Sequence, residues 1–181
     1  MAAIRLTPFP AARHDSPATP TPLLRRGFSL RALHNADLAW LRDLYASTRQ
    51  AEMVALPWDA ASKRAFLDQQ FLAQHEHYLT HFADADFLAV EHAQHGPVGR
   101  YYLQRQAPMH LIVDICLLPA VRGQGVGQAL IGHSQLCAAA QGCGMRLHVL
   151  DTNVAAKRLY ARLGFVTSLA EGHHQAMHWH P

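Results

Sequence analysis

The sequence predicts one α/β domain, a mixed sheet covered by helices. Short runs of alternating apolar residues read as strands, and longer stretches with apolar residues every three or four positions read as helices. They follow one another as strand, two helices, three strands, helix, strand, helix, two strands. A chain of 181 residues is the size of one domain and can bury a core.

Residues 1–22 hold five prolines and no apolar periodicity, which predicts a disordered Pro-rich tail ahead of a domain spanning 23–181. The tail carries arginines and few acids, as an organellar transit peptide would, but lacks an amphipathic helix pattern. From Phe28, "FSLRAL" alternates as a strand. Asn35 is placed to cap a helix with Leu38, Leu41, Tyr45 and Thr48 on one face. After "LPWD", Asp59 caps a second helix that turns Phe66, Leu67, Phe71, Tyr78 and Phe82 inward. "DFLAVEH" and "PVGRYYLQR" form a hairpin through "AQHGP", and "MHLIVDICLL" is a third strand ending at Pro119. Val126, Ala129, Leu130, Leu136, Cys137 and Ala140 recur at helical spacing until Gly142 can end the helix. A strand "MRLHVL" follows. Asn153 caps "VAAKRLYARL", Gly164 with Phe165 reads as a glycine C-cap, and the remainder forms a last hairpin.

Composition narrows the function. No run approaches the roughly 20 apolar residues of a membrane span, so a soluble protein with no membrane partner is expected. Cys116, Cys137 and Cys143 are an odd set without CxxC spacing, which points to packed thiols in a reducing, cytoplasmic setting. The formal charge of +3 comes without a basic stripe, so no nucleic-acid partner is expected, though the mild field favours an anionic ligand. Of 14 histidines, His173, His174, His178 and His180 crowd the chain's end and His77 and His81 share a helical face. No Cys or acid joins them at ligand spacing, and no metal is predicted.

"LLPAVRGQGVGQAL" carries the chemistry. Strand, glycine loop and helix start present free N–H groups and a positive dipole end to an anion, usually phosphate. The lysine of a P-loop is missing, and Gln128 stands where a dinucleotide fingerprint needs its third glycine after Gly123 and Gly125. Asp151, closing the next strand, keeps a dinucleotide-binding domain as an alternative.

The pattern Arg122-x-x-Gly125-x-Gly127 after an apolar strand resembles the acyl-CoA-binding motif of the GNAT acetyltransferase superfamily. "NVAAKRLYARLGF", Asn153 to Phe165, resembles that family's second signature, and the element order agrees from Phe28 to about Trp179. The resemblance implies the GNAT fold, with a central, mostly antiparallel sheet flanked by helices. It implies transfer of an acetyl group directly from acetyl-CoA to the primary amine of a small molecule or peptide; a homodimer stays open. Cofactor contacts are implied for the main chain around Ile115, Cys116 and Leu117, for the loop of Arg122, Gly123, Gln124, Gly125, Val126 and Gly127, and for Asn153 and Tyr160. Tyr160 is the expected donor to the departing thiolate, and the stretch from Glu52 to Trp58 is expected in the acceptor pocket. Asp114, the one acid in an apolar strand, is the expected base because desolvation raises a carboxyl's pKa, with Glu91 and Glu52 as further candidates. The alternative within this fold is a module that binds CoA without catalysis.

Overall fold

The computed structural model describes residues 7–181, with the side chains of 169–171 excepted. The elements are α1 (Thr21–Leu24), β1 (Phe28–Ala32), α2 (Leu38–Val54), α3 (Ala60–His81), β2 (Asp86–His92), β3 (Gly96–Gln104), β4 (Met109–Leu117), α4 (Val126–Ala140), β5 (Gly144–Leu150), α5 (Val154–Arg162), β6 (Val166–Glu171) and β7 (His174–Trp179). The predicted order holds, with α1 added. One sheet runs β1-β2-β3-β4-β5-β7-β6. Among the described residues only β4 and β5 pair in parallel; the other pairs are antiparallel.

Each face of the sheet buries its own apolar cluster. On one face α4 and α5 cover Tyr101, Ile112, Met145 and Leu147. On the other, α2 and α3 pack Leu41, Tyr45 and Phe71 against Phe87 and Tyr102, and among the described residues no member of that cluster lies on β5, β6 or β7. The second face is therefore covered as far as β4 and bare beyond it, and the border falls on the β4–β5 boundary.

Local chemistry sets the helix ends. The Asp59 carboxylate accepts from Ser62 N at 2.9 Å, and Asn153 Oδ1 accepts from Ala156 N at 3.2 Å. Past α5, Phe165 N donates to Tyr160 O and Gly164 N to Ala161 O, the paired bonds of a glycine-terminated helix, with Gly164 at φ +82°. Two expectations are corrected. Asn35 does not cap α2: its Oδ1 accepts from Phe9 N, while Asp37 accepts from His34 N and holds Arg31 and the Trp40 indole. Leu136 is 72% exposed, because the inward stripe of α4 runs Leu130, Ile131, Ser134 and Ala138, with the Ser134 hydroxyl bonded to Tyr101.

The disordered tail is corrected as well, for its described part; residues 1–6 of that expectation lie outside the described residues. Residues 7–22 lie as a strap along the domain. Thr7 donates to Glu76, the Phe9 ring packs edge-on to His75 and Phe87, and Arg13 donates to Asp84 O. Ser16 bonds Asp86, and Thr19 Oγ1 accepts from Leu30 N. Composition misled because one aromatic ring and a few hydrogen bonds anchor a segment that has no periodicity of its own. Deleting residues 1–19 is expected to cost roughly 2 kcal/mol, a melting-temperature fall of about 4–8 °C in a thermal scan. An unchanged melting temperature would show the strap to be energetically idle.

Candidate active site

β4 and β5 pair only from Met109–Gly144 to Ile112–Leu147, and beyond that rung they part. β3 stays paired with β4 to Gly99–Leu117, with an extra residue in β4 around Val113 that shifts the register. Asp114 to Leu117 thus have their β3 edge paired and no β5 partner on the other. The close fit of β3 depends on Gly99, where an added Cβ would meet Cys116 O at 2.6 Å.

The strand ends in the glycine loop. Gly123 and Gly125 have φ of +74° and +77°, and neither has an atom within 4 Å of where a Cβ would sit. They are glycines because of backbone conformation, and the space before them is open. Gly127 differs: its Cβ would make ordinary 3.7 Å contacts with Ile115 and Leu159. Gly125 opens α4, whose first turn has no acid and, like any helix start, leaves N–H groups unpartnered within the helix. Arg122 Nε donates to Leu117 O and Gln124 Nε2 to Ala120 O, both at 2.8 Å, so these side chains brace the loop. An open groove of about 870 Å³ leads from Gly125 along α4 past Gln128, Gly132 and His133, with Ala18–Pro22 as its far wall.

Tyr160 on α5 is buried in the α4–α5 cluster. Burial, and after it the charge of Asp114, pushes its hydroxyl up to about 12, so it stays protonated near neutral pH. Asn153 serves as the α5 cap. Cys116 faces the α2–α3 side, and burial pushes its thiol up to about 11, which leaves no ready nucleophile.

The picture of Asp114 as a lone desolvated carboxylate is corrected. Arg100 Nε on β3 donates to its Oδ2 at 2.5 Å, and Arg100 Nη2 donates to Gln74 Oε1 at 2.6 Å. The guanidinium lies over Tyr102 and Tyr78, 5.3 and 5.9 Å from the ring centroids. Arg100, Gln74, Tyr78 and Gly99 were missed as site residues. Arg100 gave a signal, one cation in the apolar run "VGRYYL" of the strand preceding the one that carries Asp114. The other acid candidates lie elsewhere: Glu91 pairs with Arg31 at 2.8 Å on β2, and exposed Glu52 pairs with Arg49 at 2.9 Å. Trp58 sits in the α2–α3 turn, 44% exposed, edge-on to Phe66.

No helix among the described residues is long and apolar enough to cross a membrane. Residues 83–167, from just before β2 into β6, match the family model described as an acetyltransferase (GNAT) domain. A curated relative, a mycothiol acetyltransferase of Frankia casuarinae, is 30% identical over 177 residues, which cover 88% of this chain. The chain spans about half of that relative, 46% of its length. Among solved structures, the PaiA N-acetyltransferase from Thermoplasma acidophilum in complex with coenzyme A superposes with a TM-score of 0.64 at 16% identity, over 85% of this chain and 99% of its own. A GNAT-family acetyltransferase from Staphylococcus aureus gives 0.60 at 16% identity, over 84% and 98%. A spermidine N-acetyltransferase chimera with one parent from Vibrio cholerae gives 0.56 at 21% identity, over 85% and 95%. The sequence match falls on the part of the domain that builds the loop and the parted strands, and over residues 83–167 the chain is similar to the GNAT acetyltransferases.

Proposed function

We propose that the protein transfers an acetyl group from acetyl-CoA to a primary amine. The observation that carries this reading is the open glycine loop at the α4 N-terminus, set directly after a strand whose far edge is free. The loop and helix start suit a pyrophosphate, the unpaired edge of Ile115 to Leu117 suits an amide-bearing arm, and the groove past Gly125 gives a nucleotide room. Bound acetyl-CoA supplies an activated acetyl thioester. Tyr160 keeps a proton beside the place where the sulfur departs, and Asn153 borders the arm. Asp114, neutralised by Arg100, accepts a hydrogen bond from the acceptor amine and orients it, with Tyr78 beside it and the turn from Glu52 to Trp58 at the pocket's rim. The acceptor is a small-molecule or peptide amine. Free thiols and the cofactor's chemistry agree with a cytoplasmic setting.

The test combines binding and turnover. Calorimetric titration should show acetyl-CoA binding and an amine panel should release CoA. Gly125→Val should weaken that binding by about 2 kcal/mol, some 30-fold, because a β-branched residue opposes the positive φ at Gly125 and its side chain fills the open cradle. Unchanged affinity in a folded variant would remove the loop from the cofactor site.

A further inference from the structure

An amine of pKa about 10.4 is uncharged in only about one molecule in 2,500 at pH 7, so the reaction needs a proton acceptor near the amine. Among the described residues, every acid on the elements of the acceptor side already has a partner. Asp43 pairs with Arg64, Asp68 with Arg42 and Arg64, Glu52 with Arg49, and Asp114 with Arg100. Glu76 accepts from Thr7 and the cap Asp59 from Ser62. β5 and α5 carry no acid.

β5 offers a different base. Met145, Leu147 and Val149 are buried against α4 and α5, so the alternate residues Arg146 and His148 face the opposite side, where both are exposed. Leu147 forms the last rung with Ile112, which makes His148 the first residue of β5 beyond the rung where the strands part. Across the gap stand Val113 and Asp114. His148 is on the bare side of the border and Asp114, with Tyr78 and Cys116, on the covered side, so an amine entering from solvent passes between them. The imidazole makes no hydrogen bond among the described residues, and its cross-strand neighbour is Ala176. The charged or titratable groups around it are Arg146, His174 and His178 on the same face of β5 and β7, and Asp114 with Arg100 across the gap.

We infer that His148 is the general base of the acetyl transfer, taking a proton from the acceptor's ammonium and passing it to solvent. This rests on the acetyltransferase reading above. The ammonium gives one proton to an imidazole nitrogen, the freed amine forms the C–N bond while the C–S bond breaks, and the second proton of the nitrogen replaces the one that Tyr160 gives to sulfur. Imidazole is the side chain whose ordinary titration lies nearest neutrality, and an exposed one exchanges its proton with water quickly.

The experiment compares His148→Gln with wild type, measuring CoA release against amine over pH 6–9.5. Because the side chain is exposed, the variant should fold and bind acetyl-CoA unchanged. Its kcat/KM at pH 7 should fall by about 10²-fold, its rate should climb with pH as free amine accumulates, and added imidazole should restore part of the activity. His174→Gln and His178→Gln should stay within about threefold of wild type. A His148→Gln enzyme with near-normal kcat/KM and an unshifted profile overturns the assignment alone. A wild-type protein that binds acetyl-CoA and acetylates no amine overturns the acetyltransferase reading, and the base with it.

Discussion

Asp114→Asn is expected to destabilise the fold by about 3 kcal/mol, a loss of roughly 6–12 °C in melting temperature, far beyond what a change at a strand surface would cost. The reason lies in its partner. Arg100 is only 5% exposed at its side chain, Asp114 18%, and arginine cannot shed its charge. Asparagine keeps the shape and an oxygen that can still accept from Arg100, but it removes the carboxylate's charge and leaves a buried cation answered only by neutral partners: that oxygen, the Gln74 oxygen and two ring faces. Arg100→Met should cost less, since the more exposed carboxylate left behind can take up water or a proton. The double variant Arg100→Met with Asp114→Leu should regain most of the stability lost by Asp114→Asn, because it removes both charges together. Urea melts of the three variants check the ordering. A loss under 1 kcal/mol for Asp114→Asn would mean that neutral partners suffice to hold the guanidinium, and the pair would then be free to serve the reaction without supporting the fold.

That pair also shows what could be read from the chain and what could not. Periodicity revealed the strands and helices, and glycine chemistry revealed the loop, because both are written in adjacent residues: Gly125 needs positive φ whatever surrounds it, and Asp59 and Asn153 cap the turns that follow them. The ion pair joins residues 14 positions apart across a register that an extra residue at Val113 has shifted. Asp114 therefore looked unpaired, although a single arginine in the preceding apolar strand hinted at its partner. Leu136 misled for another reason, since two adjacent helical stripes of α4 are apolar and only tertiary packing chooses between them. His148 was silent in sequence. An exposed histidine in an alternating strand is ordinary, and its significance comes from standing one residue past the last rung that joins β5 to β4.

Tyr160→Phe is expected to lower kcat by about 10²-fold while acetyl-CoA affinity and stability stay close to wild type. The ring is already buried, and no hydrogen bond to its hydroxyl occurs among the described residues, so phenylalanine keeps the packing and strands no partner. The hydroxyl's value, raised to about 12 chiefly by burial, also shapes what the loss should look like. A thiol's ordinary pKa is about 8.5, so complete transfer from such a tyrosine is uphill by roughly 5 kcal/mol until the departing sulfur, in the same dry surroundings, becomes more basic as well. In the proposed mechanism Tyr160 would therefore act first by a hydrogen bond that strengthens as charge builds on sulfur, with the proton moving late. Because the hydroxyl does not titrate between pH 6 and 9, its removal should lower the whole pH–rate curve without changing its shape. The base variant His148→Gln should instead change the shape. Pre-steady-state measurement of CoA release, under conditions where chemistry limits the rate, separates the two signatures. A Tyr160→Phe enzyme whose curve keeps its height would return the residue to packing, and one whose curve changes shape would mean that the tyrosine handles the amine's proton rather than the sulfur's.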